Sequence, residues 1–378
     1  MGRWLVPALE RQGVEVVGID AGTHGWSRLP WAARYHARRW WYSPATTKHD
    51  LALQRDLLRP GWVSDLHWDL GLRQRRARSA EAQSQAAGLD TVLYLTANAL
   101  PRRRPDGLRQ VAYVDATWMS QTRERIPGGP GRFPDHLVEE GVAYERDAFA
   151  GLDHVFAQAQ WVEAEVAALG VPHDRISSVG TGLRNRDRDP DGGAEPGRVL
   201  VVAKDVAAER GVPLALEALP RARAERPDLQ LVIVGDDRYP RWYSGVPGVE
   251  AHGRLTPDEV DEQIVRASLL LNLSACQTWG TINVEAMNLR TPVVALDRFA
   301  IPEITDGGRL GFVVPDSDPV LVAKVLVDAL ADPARLRQVG EQARASVRAR
   351  FSWDGMASAI LEVLDRPADA GPPGTTSS

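Results

Sequence analysis

Short apolar runs alternate with longer segments of helical spacing through most of this 378-residue chain. Thr91–Leu95, Val111–Val114, Val155–Ala157, Val199–Val202, Leu231–Gly235, Val249–His252, Leu269–Leu273, Pro292–Leu296 and Gly311–Val314 read as buried strands. They are short, apolar and bounded by turn formers. Between them, Trp4–Arg11, His136–Ala150, Trp161–Leu169, Leu214–Ala224, the segment from Thr256, Val320–Leu330 and Ala334–Arg350 show apolar residues on one helical face. Gly170 and Pro172 stop one of these helices. Strands alternating with helices predict parallel sheets with helices on their faces, an α/β fold.

The start is less regular. After the first helix, Val14–Ile19 reads as a buried strand ending at Asp20, so the strand and Gly-rich turn that usually open a nucleotide-binding domain are missing. An incomplete N-terminus is therefore expected. Asp20 suits a ribose, but no G-x-G-x-x-G accompanies it. Residues 26–78 mix Trp31, Trp40, Trp41, Trp62 and Trp68 with Arg34, Arg38, Arg39, Arg73, Arg75, Arg76 and Arg78. Such a stretch either packs Trp inward with Arg solvated outward, or holds an acceptor, or rests on an anionic membrane surface. Residues 184–197 are polar and Gly/Pro-rich, which marks a linker. Residues 366–378 have the composition of a disordered tail.

With 44% hydrophobic residues the chain can bury two cores. A net charge of −5 lacks the basic excess of a polyanion binder, which argues against nucleic acid as a partner. The single cysteine, Cys276, excludes an internal disulfide and a multi-cysteine metal site, and reads as a small buried hydrophobe in a reducing cytoplasm. No signal peptide is read at the start and no 18-residue apolar run is present. The expected location is cytoplasmic, with peripheral contact at the inner face of the membrane as the one alternative.

Candidate chemistry concentrates in Ser274–Glu303. Gly280 breaks the chain, Thr281 can cap, and Val284 and Met287 follow at helical spacing. A glycine turn feeding a helix offers unpaired N–H groups and a positive dipole end, which suit a diphosphate, and Glu285, one turn in, can face a ribose. Asp115 follows the strand Val111–Val114 at its C-terminal end. It is either an acceptor contact or base, or a turn former and helix cap. Asp236-Asp237 follows another strand without a D-x-D pattern or a nearby histidine and reads as loop rather than metal site.

The segment Gln277–Glu285 resembles the signature of retaining GT-B glycosyltransferases of the large family-4 type, the glycosyl transferases group 1. There, two acids eight positions apart flank a Gly–aromatic–Gly loop. Trp279 is the aromatic residue, Gly280 the second glycine and Glu285 the second acid, while Gln277 and Thr278 replace the first acid and first glycine. Residues 144–183 also resemble the end of that family's N-terminal domain, with Gly180 and Gly182 on its final turn.

The resemblance implies that Lys204 and Arg210 clamp the donor diphosphate, with Lys and Arg exchanged relative to the usual order. It places Arg254 and Leu255 at the nucleotide base, Trp279, Gly280, Thr281 and Ile282 in the donor loop, and Gln277 on the sugar hydroxyls. It implies two Rossmann-like domains facing a cleft: an acceptor domain over residues 1–183, the linker at 184–197, a donor domain over 198–350, and a helix at 351–365 crossing back. The implied activity is retaining, metal-independent hexosyl transfer from a nucleotide-diphosphate sugar to an unnamed acceptor, with no cofactor beyond that substrate. Two other readings stay open. A catalytically impaired homologue that binds a nucleotide or a partner enzyme would suit Gln277 and the short N-terminus. A GT-B nucleotide-sugar epimerase would share the clamp, but needs acid/base residues beside the sugar ring that are not found here.

Overall fold

A computed structural model describes residues 1–19, 70–97, 100–102, 107–123, 135–185, 193–204, 210–274 and 278–366. The chain divides into two compact units, residues 1–180 with 357–378, and residues 181–356. Asp20, most of the Trp/Arg stretch, Cys276, Gln277 and the expected tail from residue 367 lie outside the described residues.

The first unit begins with α1 (Gly2–Arg11), which buries Leu5, Ala8 and Leu9 on one face. After α2 (Leu70–Ala86) come β1 (Thr91–Tyr94), β2 (Arg109–Val114), α3 (Trp118–Arg123), α4 (Asp135–Ala150), β3 (His154–Ala157), α5 (Gln160–Ala168) and β4 (Ile176–Ser178). The strands form a parallel sheet in the order β1-β2-β3-β4. Continuous apolar runs suit this position, because helices cover a parallel sheet on both faces. Phe149, Leu152, Val162 and Val166 are buried with the strand residues.

Two expectations for this unit are corrected. Val14–Ile19 joins neither sheet among the described residues, and Val17 is 48% exposed. An apolar run becomes a strand only where an edge is free to take its hydrogen bonds. Arg73, expected to be solvated, is 1% exposed: its Nη1 donates to Glu145 Oε1 at 3.1 Å, and its guanidinium stacks 4.6 Å from the Trp118 ring centre. Arg73, Ala77, Ala80 and Ser84 form the buried stripe of α2, so its inward face is small and polar rather than aromatic.

In the second unit, β5 (Glu195–Val202), α6 (Val212–Glu225), β6 (Gln230–Val234), α7 (Tyr239–Trp242), β7 (Val249–His252), α8 (Pro257–Arg266) and β8 (Ala267–Asn272) are followed by α9 (Thr281–Asn288). Then come β9 (Val293–Leu296), α10 (Ile301–Thr305), β10 (Phe312–Val314), α11 (Pro319–Leu330), α12 (Pro333–Arg350) and α13 (Trp353–Leu364), whose residues from Ala357 belong to the first unit. Thr256 caps α8 in a reciprocal box with Glu259. Six parallel strands run in the order β10-β9-β8-β5-β6-β7, and the core packs Val199, Val201, Leu231, Ile233, Leu269 and Leu271 against Ala215, Leu219, Val322 and Leu326.

Residues Glu195–Gly197 belong to β5 rather than to an irregular linker. Glu195 pairs with Ala267 and Val199 with Leu269, and the register shift between them falls around Gly197 at φ 75°. A glycine takes that conformation without steric cost, which lets the strand bulge and resume.

Arg198 of β5 is buried and forks onto Glu250 of β7 at 2.8 and 3.0 Å. Hydrogen bonds from Arg198, and then from His252, hold the Glu250 carboxyl down at about 2. A depressed carboxylate stabilises the folded state above its unfolded value of 4.5, and that contribution fades as the pH falls through about 2. Between these limits the melting temperature of the wild type should fall more steeply than that of Glu250→Gln. Parallel melting curves for the two proteins from pH 5 to pH 2 check this.

Candidate functional site

The centre of the second sheet is where the chain reverses direction. From β5 it runs outward through β6 to β7, returns to β8 on the other side of β5, and continues to β9 and β10. The loops leaving β5 and β8 therefore diverge at the carboxyl edge of two adjacent parallel strands. In open α/β sheets such a reversal point is where the crevice that takes a ligand forms.

The loop after β5 carries Lys204, which is exposed, and Arg210, which is half-buried. Neither has an ion-pair partner among the described residues. Gly211 caps α6 at φ 76° and, as a glycine, brings no side-chain cap to that helix. A Cβ at Gly211 would lie 2.3 Å from the Leu273 carbonyl oxygen, so the two loops meet backbone to backbone. A Cβ at Gly235, after β6, would lie 2.7 Å from the Ala203 carbonyl and 2.8 Å from the Lys204 nitrogen, and the Tyr239 hydroxyl donates to the Ala203 carbonyl at 2.6 Å. These contacts fix where Lys204 leaves the sheet.

On the other side of the crevice, α9 starts from Gly280 at φ 73°, again without a side-chain cap. Thr281 is thus the first helical residue and not the cap. The reason is local: a Cβ on residue 280 would fall 2.4 Å from Asn283 Nδ2, and only glycine adopts the left-handed turn freely. Asn283 is held in turn by Asn272 of β8, whose Nδ2 donates to its Oδ1 at 3.0 Å. Thr281 is exposed and Ile282 half-buried. Trp279 is only 3% exposed, with its ring edge-on to Phe351 at 5.1 Å. Its ring anchors the loop from below rather than lining an open surface.

Arg254 is exposed and Leu255 half-buried beyond β7. The Arg254 backbone N–H donates to Asp237 Oδ1 at 2.9 Å, while Asp236 accepts from the backbone and guanidinium of Arg238. Both aspartates serve the loop.

Glu285, one turn into α9, is 8% exposed. Arg184 reaches it through Nε at 2.9 Å and reaches Asp261 of α8 through Nη2 at 2.6 Å. Burial pushes the Glu285 carboxyl up, against the pull of Arg184. Asn185 adds bonds to Asp261 Oδ1 and the Glu285 carbonyl, both at 3.3 Å, and the end of α9 is held where Asn288 Nδ2 donates to the Asn185 carbonyl at 2.7 Å. Arg184 and Asn185, which composition had assigned to a linker, are built into the second unit because these carboxylates and amides need partners away from water. Neither Arg184 nor Asp261 stands out in the sequence, since their separations from Glu285 and from each other follow no local period.

Asp115 lies in the first unit, just beyond β2. Asp115 is exposed, yet desolvation by surrounding atoms pushes its carboxyl up, against hydrogen bonds from its own and the Ala116 N–H. The turn after it is pinned: Thr117 Oγ1 donates to Glu165 Oε2 at 2.7 Å, and the Trp118 N–H donates to Glu145 Oε2 at 2.6 Å. The other described candidates all lie in the second unit.

Residues 196–332 match the family model described as Glycosyl transferases group 1. That match lies within the second unit. A phosphatidyl-myo-inositol mannosyltransferase of Mycobacterium leprae is 32% identical over 180 residues, covering 46% of this chain and 47% of that protein. A GDP-mannose-dependent monoacylated alpha-(1-6)-phosphatidylinositol monomannoside mannosyltransferase of Corynebacterium glutamicum is 30% identical over 168 residues, covering 41% and 44%. The chain thus spans about half the length of these curated relatives. Among solved structures, sucrose-phosphate synthase from Thermosynechococcus elongatus matches with a TM-score of 0.64 at 17% identity, over 78% of this chain and 77% of that one. Anabaena HepE, solved with UDP and glucose, matches with a TM-score of 0.59 at 17% identity, over 76% and 81%. The likeness to these structures gives the fold, GT-B, with two Rossmann-like α/β units.

Proposed function

We propose that this protein transfers a sugar from a nucleotide-diphosphate sugar to an acceptor, with retention of anomeric configuration and without a metal. The observation that carries this is the reversal point between β5 and β8, where Lys204 and Arg210 stand on one loop and the other leads to the start of α9, capped by Gly280 without a side chain. Glycosyl transfer leaves a diphosphate behind, and fixed positive charge at the leaving group lowers the barrier without reorganisation. Two cations and two helix N-termini supply that charge from the protein itself. Glu285 then faces the ribose, Arg254 and Leu255 the base, Gln277 the sugar hydroxyls, and Asp115 the acceptor. The names of the mannosyltransferase relatives make GDP-mannose the first donor to test and phosphatidylinositol the first acceptor. UDP-glucose, with which HepE was also solved, is the second donor to test.

A contact with the membrane surface through residues 26–78 would bring a lipid acceptor within reach. Among the described residues no helix is long and apolar enough to cross a membrane.

Gln277 favours a second reading, a homologue that binds a nucleotide sugar without transferring it. Glutamine keeps one carbonyl acceptor and gains an NH₂ donor, but loses the charge-assisted bond, about 1–2 kcal/mol or roughly ten- to thirty-fold in rate. That deficit slows an enzyme without stopping it. Purified wild type and Gln277→Glu, assayed for transfer and donor hydrolysis over a donor and acceptor panel with and without EDTA, should both be active, with the glutamate variant faster or altered in sugar preference. NMR of the product anomer tests retention. Tight donor binding by both proteins with neither transfer nor hydrolysis would establish the binder instead.

A further inference from the structure

We propose that Arg184 is a positioning residue of the donor site: it grips one oxygen of the Glu285 carboxylate and thereby presents the other to the ribose hydroxyls of a bound nucleoside diphosphate. This rests on the donor reading above.

The geometry is specific. Arg184 is held at two points, with Nη2 on the fully buried Asp261 at 2.6 Å and Nε on Glu285 Oε1 at 2.9 Å. A guanidinium fixed by one carboxylate becomes a rigid platform for a second, because its N–H directions are set by one plane. Asn185 secures the same Asp261 oxygen at 3.3 Å and the Glu285 carbonyl at 3.3 Å, which holds this part of α9 against the pair. Further along α9, Asn288 is held by the Asn185 carbonyl and by Arg348 Nε, the latter at 3.0 Å.

Only Oε1 of Glu285 is taken in this way. Oε2 makes no hydrogen bond among the described residues, and the side chain keeps 10% of its surface exposed. An ionised carboxylate oxygen accepts bonds from two vicinal hydroxyls, whereas a protonated one turns a lone pair into a donor. Burial works against ionisation of Glu285, and the adjacent guanidinium works for it. Arg184 therefore has two effects on the same oxygen: it sets the direction and keeps the charge.

The test reads hydroxyl recognition, which a merely structural ion pair would not move. Calorimetry compares wild type, Arg184→Ala and Arg184→Lys against GDP and UDP and against the 2′,3′-dideoxy form of each. Wild type should favour the ribo form by about ten- to thirty-fold, the scale of a charge-assisted hydrogen bond. Arg184→Ala should bring that ratio below about three while leaving affinity for the dideoxy form within about twofold, and Arg184→Lys, which keeps the charge without the second grip, should fall between. An unchanged ratio in a folded alanine variant, or equal losses for both ligand forms, overturns the proposal. If the alanine variant does not fold, the lysine variant decides, and a wild-type ratio there overturns it equally. Wild type that binds GDP or UDP without preferring the ribo form overturns this role and leaves the donor reading standing. Wild type that binds neither overturns both.

Discussion

Alanine at Lys204 or at Arg210 should weaken binding of a nucleoside diphosphate by about 1.5–3 kcal/mol, roughly ten- to a hundred-fold in Kd. Both side chains stand on the loop between β5 and α6, and neither is engaged by a carboxylate among the described residues. A free cation at a crevice has no internal bond to lose, so its removal registers in ligand affinity more than in folding stability. The order of the pair also matters. Arginine offers a planar fork and lysine a point charge, so bidentate recognition belongs to residue 210 here. Exchanging the two, Lys204→Arg with Arg210→Lys, keeps the net charge and should retain more affinity than either alanine. Titration of GDP and UDP by calorimetry measures all four proteins. Unchanged affinity in both alanine variants would remove the diphosphate from this loop.

Gly211→Ala should lower the stability of the second unit by about 2–4 kcal/mol, the sum of a left-handed backbone cost and an overpacking cost. The residue sits at φ 76°, and an added methyl would come within 2.3 Å of the Leu273 carbonyl oxygen. That oxygen is main chain, directly after the central strand β8, and cannot swing aside as a side-chain tip does. The expected fall in melting temperature is of order 5–15 °C for a unit of this size. Relief requires the two loops to separate, so donor affinity should fall with stability. Gly170→Ala, at φ 97° with open space around it, carries only the backbone cost and serves as the comparison. Differential scanning calorimetry of the two variants would show equal losses if the loop contact were unimportant.

The strands of the second unit were legible because buried parallel strands are uninterrupted apolar runs, and Val199–Val202, Leu231–Val234 and Leu269–Leu271 are of that kind. Val14–Ile19 is also rich in Val and Ile, though broken by Glu15 and Gly18, and forms no strand among the described residues, since such a run states a preference for burial but not a partner. Arg73 and Arg184 misled in the opposite direction. Each looked like a solvated charge, yet Glu145 and Glu285 await them 72 and 101 residues away, and no local spacing carries that information. At the site, Gly280 was recognisable as a break, but that it is itself the cap depends on where Asn283 places its amide. The family pattern singled out Lys204, Arg210 and Glu285 as candidates. It was silent on Arg184 and Asp261, which stand outside its motif.

The pairing of β5 with β8 also sets an order of events. It joins Val199 to Leu269 and Leu200 to Leu270 after α6, β6, α7, β7 and α8 have intervened, whereas β5 meets β6 across one helix. Closing the longer loop carries the larger entropy cost, so the central seam should form late, once the neighbouring βαβ unit exists to receive it. The crevice lies on that seam and is absent from any partly assembled form. A nucleotide that enters it binds the finished unit alone, adding about 2.7 kcal/mol to its stability at a hundred times its Kd. Heat resistance in the presence of a candidate donor is therefore a direct count of complete seams.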